Sequence, residues 1–367
     1  MFDRRLVQNF DWILVLILLL LTLISVINLY SATYPMRNAG GMQIFMKQTY
    51  WFLIGFVVML LATTFDYHLL QRLALPGYFV VLGLLVLVSL VGGRISGSQR
   101  WLSIGGFTIQ PSEFMKMAIV ILLAKFFDEH LQPGGYRLRD LWQPFLYMAI
   151  PCALIVKQPD LGTSLMILII AFSLILFARM RWKSFMILVV AGMGSAPLLW
   201  FKLKDYQQRR ILTFIDPELD PLGAGYHIQQ SKIAIGSGMF WGKGFLHGTQ
   251  TSLHFLPEQH TDFAFSVLAE EWGFLGSLIL LVIYFTLILW GLSIAANSRD
   301  RFGALIAFGV VTILFWQLVI NVCMTTGLLP VVGIPLVLIS YGGSSVLSVM
   351  AGLGLLLNIS MRRFMFQ

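Results

Sequence analysis

The sequence predicts an all-α polytopic membrane protein of about ten transmembrane helices, with both termini cytoplasmic and one large external loop. Three observations carry this. The 367 residues are 58% hydrophobic and only 11% charged, and their mean hydropathy of +0.82 lies outside the range of soluble domains. Apolar runs approaching the length that crosses a bilayer recur along the whole chain. Those runs are continuous, whereas strands of an outer-membrane barrel would alternate at every second residue.

The first run, 12–30, follows Arg4 and Arg5. It is too long for the core of a signal sequence and no clear small-residue cleavage site follows it, so it reads as the first span. The others are 50–65, 74–92, 114–127, 144–157, 162–178, 184–201, 272–296, 303–326 and 333–359. The runs at 50–65, 114–127 and 144–157 are short, and polar ends must complete them. With the N-terminus inside, thirteen Lys and Arg fall on cytoplasmic segments, among them the tight "ARMRWK" turn at 178–183. Five fall on short external loops: Arg37, Lys47, Arg94, Arg100 and Lys157. That asymmetry sets the orientation, and it assigns the net charge of +8 to membrane topology rather than to a nucleic-acid partner.

No internal repeat is evident, and residues 1–367 read as a single integral membrane domain. Its large excursion, about 202–263, is left out of the charge count because long segments cross regardless of charge. It is rich in aromatic and β-branched residues, and "GYHIQQSKIAIGSG" within it reads as a short helix ending at glycine. Two more external loops stand out, a glycine-rich one at 92–113 carrying Arg100 and Trp101, and "KQPDLGTS" at 157–164. Cys152 and Cys323 sit in apolar runs as small hydrophobes without a disulfide framework. The sequon at Asn358 lies at the cytoplasmic end of the last span and carries no weight.

The unusual chemistry is therefore external. "FLPEQHTDFAFSVLAEEWGFLG" (255–276) gathers Glu258, Asp262, Glu270, Glu271 and His260 at the mouth of a span. Helical spacing would place Glu258, Asp262 and Ser266 on one side. Glu258 reads equally well as a helix cap or as a functional acid. Asp262 lies deeper between Thr261 and Phe263, where desolvation raises a carboxyl toward a usable base, and a carboxylate at membrane level is a functional candidate by default. Glu270 and Glu271 read equally as structural ion-pair partners or as site residues. In "IQPSEFMKMAI", Glu113 and Lys116 are three apart and can pair, or Lys116 can face an anionic substrate. Lys157 and Asp160 mark either a site or a plain polar turn. Arg37, Lys47, Arg94, Arg100 and Arg210 are external cations, each able to snorkel alone but together suited to an anionic lipid substrate.

"GSGMFWGKG" fails the spacing of a phosphate-binding loop, and "HFLPEQH" is not a zinc-protease motif. A dedicated zinc site on His254, Glu258, His260 and Asp262 is not expected. A magnesium-type ion held by one or two carboxylates and a substrate phosphate stays open, with Asp262 as its ligand.

"NVCMTTGLLPVVGIPLVLISYGGSS" (321–345) resembles the signature of the SEDS family, the RodA/FtsW/SpoVE proteins of bacterial cell-wall synthesis. "FLPEQHTDFAFSVLAEEWG", "QRWL", "QPSE" and "KQPDLGTS" resemble other blocks of that family, and "KGFLHGTQTSLHFLPEQHTDF" is more similar to its elongation branch than to its division branch. The resemblance implies a peptidoglycan glycosyltransferase of the bacterial inner membrane that polymerises lipid II during elongation. It implies a class B penicillin-binding protein and other elongation-complex membrane proteins as partners, with lipid II and the growing lipid-linked glycan as substrates. It marks Asp262 as the essential aspartate and adds Ser344 to the substrate-binding residues. In that reaction Asp262 is the expected general base or cation ligand. Lys116, Arg100 and Lys47 are the expected partners of the leaving pyrophosphate, and Glu113, Lys157, Asp160 and Glu258 complete the expected binding set. Two other classes compete. A flippase for the lipid-linked precursor calls for mid-bilayer charges and inverted repeats, which are scarce or lacking here. A non-enzymatic scaffold of the elongation complex leaves the external acid and cations unexplained.

Overall fold

The structure, a computed structural model, describes residues 10–95, 98–104, 107–203, 205–220, 223–256 and 258–363. Helices α1 (Trp12–Thr33), α2 (Gly41–Thr64) and α3 (Leu69–Val91) lead into strands β1 (Gly93–Ile95), β2 (Ser98–Ile104) and β3 (Phe107–Ile109). Helices α4 (Pro111–Glu129), α5 (Trp142–Lys157), α6 (Leu161–Phe177) and α7 (Trp182–Trp200) follow. The excursion contains α8 (Asp205–Ile215), α9 (Ala224–Ser237) and the single turn α10 (Thr249–Ser252). The chain closes with α11 (Ala264–Ala296), α12 (Arg301–Thr325) and α13 (Gly343–Arg362).

Ten of these helices occupy the ten predicted spans, and the chain is a polytopic membrane protein. Six of the ten are long and apolar enough to cross a bilayer by length and composition alone. Side-chain caps fix several starts. Asp11 accepts from the Leu14 amide at 3.2 Å, Asp160 from Thr163 at 3.2 Å and Asp300 from Gly303 at 2.9 Å. Pro111 opens α4 at a position where its missing N–H costs nothing. The centre of the bundle is α13, 89% of whose apolar window is buried, against 22% for the peripheral α3. Leu19, Leu23, Leu53, Phe79, Val80 and Phe285 stay exposed, as lipid-facing side chains must.

Three expectations are corrected. The last span does not run from 333. Residues 326–342 are irregular, and α13 begins only at Gly343. This segment dips among the helices, where its carbonyls are met by side chains. Ser25 donates to Ile339 O at 3.2 Å, and Tyr284 donates to Val337 O. Irregular backbone at membrane depth is tolerated where protein or a cavity takes up its polar groups. Apolar composition alone could not separate it from a helix. Secondly, the described residues between 93 and 109 of the glycine-rich 92–113 loop form an antiparallel meander, with Arg94 opposite Gln99 and Leu102 opposite Ile109, and α4 already begins at Pro111. Thirdly, residues 258–263 are turns rather than helix, so Glu258, Asp262 and Ser266 share no helical face. The residue preceding α11 is Phe263, which makes no side-chain cap, so Glu258 is not the capping acid either.

The predicted span 272–296 is the second part of α11, which breaks at Gly273 (φ 66°, ψ −161°). A β-carbon there would sit 2.3 Å from the Gly242 nitrogen, so only glycine allows the excursion to press against the break. The predicted helix in "GYHIQQSKIAIGSG" is present as α9, ending at Gly238.

Candidate functional site

The outer ends of α4, α6 and α13 are tied together by Gln110, the residue before α4. Its amide donates to Ser344 Oγ at 2.9 Å, and its side chain donates to Asp160 Oδ2 at 3.0 Å. Asp160 also accepts from Thr163 Oγ1 at 2.9 Å and faces Arg100 Nη1 at 3.5 Å. Arg100, carried on β2, donates through Nη2 to Pro159 O at 2.6 Å. The meander thus serves to place one arginine, and Asp160 is the buried post that orients it.

Inside this ring lies a cavity of about 400 Å³. Its walls include Arg100 and Trp101 from β2, Glu113 and Lys116 from α4, Thr163 from α6 and Arg210 from α8. Gln317 of α12, residues 332–335 of the irregular segment and Ser344 and Ser345 of α13 complete it, with Glu258, Thr261 and Asp262 at its mouth. Of the two readings open for these residues, the Glu113–Lys116 pair is the one that forms, with Lys116 Nζ 2.9 Å from both carboxylate oxygens and both side chains buried. Such a pair neutralises itself and leaves the cavity wall polar but internally compensated.

Asp262 is held by its backbone. Asn321 Nδ2 donates to Asp262 O at 2.9 Å and to Ile334 O at 2.8 Å, pinning the turn to the irregular segment. Among the described residues no side chain or amide donates to the Asp262 carboxylate itself. Gly333 faces it, and backbone conformation rather than space calls for glycine there. Its φ of 73° is a left-handed conformation, and a β-carbon there would meet Asp262 Oδ2 at 3.4 Å. Burial first, and the Glu258 charge second, push the Asp262 carboxyl up to about 6, against the opposing pull of Arg100 and Arg210. The result is a carboxylate without a hydrogen-bond donor among the described residues, poised to take a proton near neutral pH. Burial likewise pushes the nearby His260 imidazole below its ordinary range, favouring its neutral form.

The structure brings together Asp262, Glu258, Glu113, Lys116, Arg100 and Ser344, with Asp160 directly behind Arg100. It does not bring Lys47 or Lys157. Both are exposed, Lys47 early in α2 and Lys157 at the last residue of α5, and neither reaches the cavity. Position at the right membrane level decided nothing about the direction each faces. Sequence alone does not single out Gln110, Thr163, Gln317 or Ser345 for the site, yet all four line the cavity. A lone amide in the apolar run "LFWQLVI" was the available signal for Gln317. Arg210 was grouped only with the external cations, and α8 is what turns it toward Asp262. Among the described residues no group of three or more His, Cys, Asp or Glu forms a metal cluster.

The family model FtsW/RodA/SpoVE, described as cell cycle protein, matches residues 11–364. The peptidoglycan glycosyltransferase MrdB of Escherichia coli K12 is 41% identical over 358 residues, covering 97% of this chain and 95% of that one. The peptidoglycan glycosyltransferase RodA of Treponema pallidum is 34% identical, with 97% and 99% covered. Among solved structures, a chain of a peptidoglycan synthase complex that coordinates polymerisation and crosslinking superposes with a TM-score of 0.83 at 31% identity, covering 97% and 99%. The rod shape determining protein RodA of Thermus thermophilus superposes at 0.72 with 28% identity, covering 97% and 98%. A family match over nearly the whole length, together with full-length relatives at this identity, shows that the chain belongs to the FtsW/RodA/SpoVE family.

Proposed function

We propose that this chain is a peptidoglycan glycosyltransferase that polymerises lipid II on the outer face of the cytoplasmic membrane during cell elongation, with Asp262 as its general base. The observation that carries the reading is the Asp262 carboxylate, without a hydrogen-bond donor among the described residues, on a cavity shared with Arg100, Arg210 and the Glu113–Lys116 pair.

The chemistry fits that arrangement. The 4-hydroxyl oxygen of one sugar attacks the anomeric carbon of another, and the bond from that carbon to pyrophosphate breaks. The hydroxyl proton passes to Asp262, and the electron pair leaves with the polyprenyl pyrophosphate. Pyrophosphate is a stable anion, so it needs positive charge rather than an acid. Arg100 and Arg210 are the cations placed to supply it. One base then suffices, in contrast to the carboxylate pair that flanks a bond in glycoside hydrolysis. The donors present fit a magnesium-type ion, which takes one or two carboxylates and completes its shell with phosphate oxygens. In the alternative in which Asp262 is a cation ligand rather than the base, it and Glu258 would hold such an ion, which would add charge neutralisation at the pyrophosphate.

The likeness to a synthase complex supports a crosslinking partner, which we assign to the class B penicillin-binding proteins working beside other elongation-complex membrane proteins. The test is purified protein with labelled lipid II. Polymer on a gel is expected. Translocation of lipid II across a liposome without polymer would replace the enzyme with a flippase, and neither outcome would leave a scaffold. Orientation is checked by a cysteine at exposed Glu218, which an impermeant thiol reagent should label in whole cells before lysis.

A further inference from the structure

Gln317 has no role in the chemistry above. It lies in α12, eight residues before the helix ends at Thr325, or about 12 Å below that end at 1.5 Å per residue. Its side chain is fully buried and lines the cavity. Neither its Nε2 nor its Oε1 has a hydrogen-bond partner among the described residues. Among the described residues it is the only side chain with two such buried atoms. Because both ends are open, the point does not depend on which way the amide is turned. Asn321, one turn further along the same helix, shows the contrast. Its amide nitrogen is committed to Asp262 O and Ile334 O, which is a structural duty. Gln317 makes neither contact, and a buried amide left open is costly unless something enters the cavity to meet it.

The chemistry of the amide restricts what that is. Nε2 donates and Oε1 accepts, so the ligand must present an acceptor and a donor side by side. A phosphate offers acceptors only and would leave Oε1 unmet. An acetamido group on a sugar offers its carbonyl to Nε2, and the ring hydroxyl next to it donates to Oε1. In lipid II the N-acetylglucosamine ring has that edge, with its 2-acetamido group beside a free 3-hydroxyl. The muramyl ring carries an ether at the 3-position and has no hydroxyl proton to give there. We propose that Gln317 is a substrate-binding residue that recognises the 2-acetamido and 3-hydroxyl edge of the N-acetylglucosamine unit. This rests on the polymerase reading and adds to it the sugar that the deep wall of the cavity selects.

The experiment compares the full-length protein with Gln317→Leu and Gln317→Glu, on native lipid II and on an analogue whose terminal sugar is the 2-deoxy compound. With wild-type protein the analogue should lose about 10- to 100-fold in kcat/KM, the scale of a buried polar pair left unmet. Gln317→Leu should lose a similar factor on native lipid II and almost nothing more on the analogue. Gln317→Glu keeps the acceptor and loses the donor, so its loss should also shrink on the analogue. If Gln317→Leu does not fold, the Glu variant and the wild-type arm decide. Equal wild-type rates on the two substrates, or variant and analogue losses that simply multiply, would overturn the assignment while leaving the polymerase reading intact. No polymer from wild-type protein on native lipid II would overturn both.

Discussion

The acid-rich stretch from Glu258 to Glu271 divides at Ala264 into two regions that each carry two carboxylates and put them to opposite uses. After the division, Glu270 is fully buried and fully engaged. It accepts from Lys243 Nζ at 2.7 Å, the Gln250 amide at 3.0 Å, Thr249 Oγ1 at 3.1 Å and Thr251 Oγ1 at 3.4 Å. Glu271 accepts from Ser31 in α1. These two acids moor the excursion and the first helix to α11. Before the division, the chain is a turn, and the Asp262 carboxylate lines a cavity with no donor bound to it among the described residues. A carboxylate as fully hydrogen-bonded as Glu270 holds a structure together, whereas Glu271 keeps one buried oxygen, Oε2, without a partner among the described residues. Asp262, held by its backbone and with no donor on its carboxylate among the described residues, in a cavity lined by both arginines and carboxylates, is free to exchange a proton.

The largest effect that tests this contrast is Asp262→Asn. Asparagine keeps the size and cannot take a proton, so initial polymerisation should fall at least 10²-fold, the lower end of general-base contributions. Stability should hold or rise slightly. The sign follows from linkage. A carboxyl raised to about 6 binds its proton more tightly in the folded state than in the unfolded one. Stability from this group is therefore present at low pH and is lost as pH rises from the unfolded value through about 6. A neutral amide escapes that loss. The wild-type rate should climb with pH through about 6 and then level, because the base works only when ionised. Matched amounts of folded protein, assayed from pH 5 to 8 alongside thermal melts, give both readings. A variant that keeps a third of the normal rate would remove Asp262 from the mechanism.

Glu270→Ala should show the reverse profile. It removes the buried acceptor of the partly exposed Lys243 and unhooks residues 243–251, with a cost of about 2 kcal/mol expected from hydrogen bonds to a charged group lost at a buried site. The melting temperature should drop and protease should cut the excursion sooner. Polymerisation at low temperature, per folded molecule, should stay within a few-fold of normal. A stable Glu270→Ala protein with no activity would dissolve the distinction between the two regions.

How much of this was legible in the sequence depends on which force fixed each part. The ten helices were legible because bilayer thickness imposes a length and lipid imposes an apolar face, and both are written in runs such as 12–30 and 303–326. The Glu113–Lys116 pair was legible because helical spacing puts residues three apart in reach. The irregular 326–342 segment was not, since buried irregular backbone and buried helix draw on the same apolar residues. Lys47 and Lys157 were misplaced for a related reason. Membrane topology gives a residue's depth, while its direction depends on packing between helices. Arg210 reaches the cavity only because α8 folds back over it, a long-range contact with no local signature.

The smallest expected effect separates Glu258 from Asp262 within the turn they share. Glu258 adopts a left-handed φ of 50° and closes the turn. Its carbonyl accepts from Thr261 N at 3.1 Å, and its Oε2 from Thr261 Oγ1 at 3.0 Å. Glutamine keeps an oxygen for the second contact, so Glu258→Gln should fold normally and lose only a few-fold in rate at neutral pH. What it removes is a negative charge that holds the Asp262 carboxyl up. With that repulsion gone, Asp262 ionises more readily, and the acid limb of the rate profile should move to lower pH. At pH 5.5 the variant should therefore retain a larger share of its own plateau rate than wild type does. The comparison needs only rates normalised to each protein's maximum, which makes it insensitive to a modest drop in overall activity. A limb that stays in place would show that the two carboxylates do not feel each other, and a limb that moves upward would mean that the titrating base is some group other than Asp262.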